Sequence, residues 1–188
     1  MQAIVREKLM GCLLALGEVA HTYRKDSSRF VAAYFRWLEQ TEESLAPLRL
    51  PLLSTVQSQK TQLLAIEDGL IPPHVQAEGS VRKRQRAATA ALLDTMTQVL
   101  QDRVAQADRF FEEPREKLAQ SLALLLTQNP SALDNLQPDN AGVDAVWRAM
   151  QATKELAAIV NYLSAKLPRA DRDYCLVEVM GNVLPRNF

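Results

Sequence analysis

Glycine is scarce in this chain, with six residues among 188, so tight hairpin turns have little raw material. Isoleucine occurs four times, whereas leucine and alanine together supply 53 residues. Strands favour β-branched and aromatic side chains, and Ala and Leu are among the best helix formers. These shortages and this excess predict an all-α protein.

Histidine and cysteine are equally sparse, at two residues each. Sites built on several imidazoles are therefore excluded. Cys12 and Cys175 stand near opposite ends of the sequence without CxxC or CxxxH spacing, and they are expected to be buried thiols. An excess of one charge is also missing: 22 basic residues face 22 acidic ones. That balance argues against a surface coated in nucleic acid and against a polyanionic mimic, while leaving local patches open.

No segment reaches the 18 or so apolar residues that would span a bilayer. Leu9-Met10-Gly11-Cys12 resembles a lipoprotein cleavage box, with Arg6 and Lys8 before it. The apolar run follows that cysteine instead of preceding it, and Glu7 and Glu18 interrupt the stretch. A core helix is expected there, in a soluble, cytoplasmic protein with no membrane partner.

Catalytic signatures are missing too. There is no GxxxxGK[ST] phosphate loop, no GxGxxG, no HExxH and no GxSxG. The expectation leans away from an enzyme, and no cofactor is implied.

What is present is helical periodicity. Val5, Leu9, Cys12, Leu16, Val19 and Tyr23 form one stripe along a helix over 3–23. Asp26, Ser27 and Ser28 offer N-caps for a second helix running to Pro47, with a broad apolar face that includes Phe30, Tyr34, Trp37 and Leu38. A third follows Pro51, with Ser54 and Gln57 as a capping box, Leu53, Val56, Leu63 and Leu64 as its core face, and Gly69 as its stop. Gly69 to Gly79, containing Pro72-Pro73, reads as a loop.

Residues 80–113 contain neither Gly nor Pro, and Leu93, Met96, Leu100, Val104, Ala107 and Phe111 continue a heptad-like stripe. Such a helix would be about 50 Å long. A fifth helix is expected from Pro114, with Leu118, Leu122 and Leu125 facing inward. After a polar segment at 129–142 come a sixth helix over 143–167 and a short one over 171–180 ended by Gly181. The sixth presents Val146, Met150, Ala157, Val160 and Leu167. Trp37 and Trp147 are expected in the core. The fold is thus a bundle of six or seven mostly antiparallel helices around the long one at 80–113. It is a single domain, 1–188, with a possible division into a main bundle, 1–128, and a C-terminal helical part, 143–188.

Three features invite a functional reading. Arg82, Lys83, Arg84 and Arg86 crowd the start of the long helix, where positive charge opposes the helix dipole. An anionic partner, nucleic acid included, would offset that cost, and so would simple solvation or pairing with acidic stretches such as Glu39 to Glu43. Against nucleic acid, no aromatic residue interleaves with the run. Glu18-x-x-His21 has the one-turn spacing of di-iron helical ligands. A second such pair is missing, since His74 follows Pro72-Pro73 without a matching glutamate. His21 also lies about 140° from Leu16 around the helix, away from the stripe. Finally, Glu39, Glu42, Glu43, Glu67 and Asp68 form acidic patches near helix ends.

These features predict a non-catalytic helical interaction or scaffold protein that self-associates through its broad apolar faces. The alternative is a nucleic-acid-associated accessory protein using 82–86. A second alternative is a helical enzyme or small-ligand carrier with a pocket between helices, near His21 or the Glu39–Glu43 patch.

Overall fold

The computed structural model describes residues 1–25, 28–71, 79–128 and 137–183. These residues form seven α-helices: α1 (Gln2–Arg24), α2 (Phe30–Leu45), α3 (Leu52–Glu67), α4 (Val81–Gln128), α5 (Asn140–Ala152), α6 (Ala157–Lys166) and α7 (Arg169–Val183). The fold is all-α, with α4 as its long helix. No described helix is long and apolar enough to cross a membrane.

The long helix is longer than the sequence suggests. It extends through Pro114 to Gln128, 48 residues in all, and absorbs the expected fifth helix. Its apolar stripe explains the continuity. From Leu93 to Leu125 buried residues recur every three or four positions, and Pro114 itself occupies one of them. Burial along an unbroken stripe thus outweighs the hydrogen bond that proline cannot donate.

The chain divides into two compact units. The first, Val5–Ala105, holds most of α1, all of α2 and α3, and the start of α4. Leu9 and Leu16 from α1, Phe30, Tyr34 and Leu38 from α2, Val56 and Leu63 from α3, and Met96 and Leu100 from α4 share its core. Trp37 is buried there and donates its indole N–H to the Cys12 carbonyl at 3.1 Å. The expected face of α3 is partly revised, because Leu64 is exposed while Leu52 and Ile66 are buried.

One end of this unit gathers four helix termini. The Arg86 guanidinium lies 4.7 Å from the Tyr23 ring centroid, and Tyr23 packs on Phe30 at 4.9 Å. The Gln85 amide donates to the carbonyls of Ile66 and Glu67, both at 3.0 Å. The end of α1, the start of α2, the end of α3 and the start of α4 therefore meet, and successive helices run antiparallel.

The caps differ from expectation. Arg29 stands at the N-cap of α2 without a side-chain cap, and Ser28 is exposed. Asp26 and Ser27 lie outside the described residues. The Ser54–Gln57 box does not form, because α3 begins earlier, at Leu52. Ser54 donates instead to the Pro51 carbonyl at 2.8 Å and Gln57 to Glu42 at 2.9 Å. Gly69 does close α3. At φ +90° it lets its own N–H reach the Ile66 carbonyl at 3.0 Å and the Leu70 N–H reach that of Ala65 at 2.8 Å, a Schellman pairing that glycine permits at little steric cost. Most of the expected loop after it, 72–78, lies outside the described residues.

The second unit comprises Met1–Ile4 and Gln106–Phe188. Its core combines Phe111, Leu118 and Leu122 from α4, Val146 and Met150 from α5, Leu163 from α6 and Leu176 and Met180 from α7. Trp147 is buried here. The expected helix over 143–167 is two helices. It starts earlier, at Asn140, where the Asp139 carboxylate accepts the Gly142 N–H at 2.8 Å. It breaks at Thr153, whose backbone is extended and whose hydroxyl donates to the Ala149 carbonyl at 2.9 Å. The break carries Leu156 into the core and leaves Ala157 exposed. The last helix runs through Gly181 to Val183 instead of stopping there.

Candidate functional site

The basic run opens α4 at the gathered end of the first unit. Arg82, Lys83 and Arg84 are exposed, and none makes an ion pair among the described residues. Ser80 begins the helix: its carbonyl accepts the Arg84 N–H at 3.1 Å, and its hydroxyl lies 3.4 Å from the Lys83 N–H. Three cations thus stand in the first turn, where the helix dipole is also positive.

Arg86, grouped with them in sequence, is engaged differently. It is half-buried, stacks on Tyr23 and Phe30, and donates to the Tyr23 carbonyl. Gln85 holds the other side by satisfying carbonyls at the end of α3. Together the two residues pin the start of α4 to the ends of α1 and α3.

That pinning brings in residues the sequence did not associate with the run. Arg24 and Lys25 follow Tyr23 directly, and both are exposed. Their charges suit their own position, since cations near a helix C-terminus face its negative dipole end. Arg82 sits one turn before Arg86 on the same face of α4, the face turned toward the end of α1. Tyr23, at 36% exposure, supplies an aromatic ring beside the cations, which the linear run lacks. Glu67 and Asp68 are exposed at the same end and make no ion pair with the run among the described residues.

The remaining candidates are dispersed. Glu18 and His21 are both exposed on α1. Among the described residues, no group of three or more His, Cys, Asp or Glu is placed to hold a metal ion; His74 lies outside them. Glu39 and Glu43 are exposed, while Glu42 pairs with Lys60 at 2.7 Å. Hydrogen bonds from Lys60 and then Gln57 hold the Glu42 carboxyl below its ordinary range. Glu42 is thus engaged with α3, and no ion pair joins this acidic stretch to the basic run among the described residues. Both cysteines are buried and free. Burial raises the Cys12 thiol pKa and pushes that of Cys175 up to about 12, so neither is poised as a thiolate nucleophile.

No family model matches the chain, and the searches of curated proteins and solved structures returned no match either.

Proposed function

We propose that this chain is a non-catalytic helical interaction protein that docks an anionic partner on the basic end of its first unit. One observation carries the reading: Arg82, Lys83 and Arg84 are exposed at the positive end of α4 without an acidic partner among the described residues. Positive charges at a helix N-terminus cost a few tenths of a kcal/mol or more each. A bound polyanion removes that cost and releases its own counterions, which adds a salt-dependent driving force.

The apolar faces that suggested self-association are buried within the two units: the wide face of α2 in one, and the stripe of α4 partly in each. The reading therefore rests on charge. Light scattering on a size-exclusion column tests it, with a mixed nucleic-acid pool or polyglutamate added at low salt. The expected result is a shift with at least one polyanion, reversed by salt and lost in Arg82→Glu/Lys83→Glu/Arg84→Glu. Absence of a shift with either polyanion overturns the reading, and a dimer in their absence would restore self-association.

A further inference from the structure

We infer that the docking surface is composite, that Arg24 and Lys25 at the end of α1 belong to it together with Arg82, Lys83 and Arg84, and that its ligand is a nucleic-acid strand. The inference rests on the reading above and adds the site's membership and its ligand class.

Arg82, Lys83 and Arg84 are consecutive, so their side chains leave α4 at steps of about 100° and fan over about 200°. Three side chains so spread do not converge on a single phosphate. Arg86 does not close the fan, because its guanidinium is held on Tyr23 and Phe30. That contact instead places Tyr23, and with it Arg24 and Lys25, beside the face of α4 that carries Arg82. Five exposed cations are thereby distributed across two helix ends.

A surface of this kind fits an extended ligand with repeated anionic groups. Three of the five are arginines, whose planar fork matches phosphate oxygens two at a time. Tyr23 is partly exposed at the same end, but its ring is engaged by Arg86 and Phe30, so the strand is held through its phosphates and not by base stacking. Arg86 then acts as a positioning residue, joining the two groups of cations while its own guanidinium stays on the aromatic rings.

The test is fluorescence anisotropy of the full chain with labelled 20-mer single-stranded RNA and DNA over a salt series. Tripolyphosphate, polyglutamate and phosphatidylserine vesicles serve as competitors. Each phosphate contact to a single strand contributes about 0.7 to the slope of log affinity against log salt. Arg24→Ala/Lys25→Ala should weaken binding and reduce that slope by about 1.4, and Arg82→Ala/Lys83→Ala/Arg84→Ala by about 2. Arg24→Lys/Lys25→Arg, which keeps both charges, should retain binding. Thermal melts of each variant, expected to match the parent, separate loss of contact from loss of fold.

Loss of binding in the α4 variant alone would overturn the composite site and leave the basic end standing. No effect of either variant would overturn the basic end as well. Tripolyphosphate competing as well as the strands at equal phosphate would remove the extended ligand, and stronger competition by polyglutamate or vesicles would remove the nucleic acid.

Discussion

The Asp171 carboxylate accepts the backbone N–H of Ala3 at 2.9 Å, although 168 residues separate the two. Its second oxygen accepts the Gln2 N–H, also at 2.9 Å. Asp171 is buried, and it caps the first turn of α1 from a distant helix as a local N-cap would. Arg169, Arg172 and Asp173 lie on the same helix but face other partners: Arg169 pairs with Asp144, and Arg172 with Asp173.

Asp171→Ala is therefore expected to lower stability by about 1–3 kcal/mol, the range for buried donors left unpaired. Asp171→Asn keeps an acceptor and should cost less. Burial alone would raise the Asp171 pKa, but the hydrogen bonds from Ala3 and Gln2 outweigh it and leave the group below its ordinary value. Its contribution is thus fully present above the unfolded value of about 3.9 and is lost as pH falls through the folded one. Urea midpoints for parent and Asp171→Asn should converge over that acidic window. A constant gap down to the folded pKa would show that charge plays no part.

Tyr34 presents a second buried polar contact. Its hydroxyl donates to Gln59 Oε1 and lies 3.2 Å from the Leu92 carbonyl oxygen, joining α2, α3 and α4. Burial pushes its phenol well above the usual range. Tyr34→Phe leaves the Gln59 side chain buried with an unmet acceptor and should cost about 1–3 kcal/mol. Adding Gln59→Leu removes the orphan, so the double variant should be more stable than the sum of the single losses. A double-mutant cycle by chemical denaturation reads the coupling. Strict additivity would mean that the two groups do not share a bond.

Much of the fold was legible because burial follows helical arithmetic. Leu93, Met96, Leu100, Val104, Ala107 and Phe111 are all buried, as their spacing required. Breaks are less legible, because residue type alone does not place them. Pro114 looked like a start but sits on the buried stripe. Thr153 ends α5 through backbone geometry that no glycine or proline announces. The basic run was visible as a run. The association of Arg24 and Lys25 with it was not, because it depends on where Arg86 and Gln85 tie the helix ends.

Gly142 and Gly17 should respond to alanine with opposite signs. A Cβ at Gly142 would lie 1.9 Å from the Gln137 carbonyl oxygen, a backbone atom that cannot turn aside. Gly142→Ala must displace the entry into α5 and should cost about 2 kcal/mol or more. Gly17 is exposed within α1, and a Cβ there meets nothing within 4 Å. Gly17→Ala should stabilise by about 0.5–1 kcal/mol through helix propensity and a less entropic unfolded chain. Thermal unfolding of the two variants checks both signs.

At Pro114 a backbone penalty opposes the burial of a ring. Proline inside a helix costs about 3 kcal/mol relative to alanine, because it lacks the N–H and crowds the preceding turn. Its ring is buried on the stripe between Phe111 and Leu118, and truncation to alanine removes about two methylenes, worth about 1.6 kcal/mol. The difference predicts that Pro114→Ala stabilises the protein by about 1 kcal/mol, read as a higher denaturation midpoint. The sign tests that balance. A loss of stability would mean that the buried ring contributes more to the core beside Phe111 and Leu118 than its two methylenes account for.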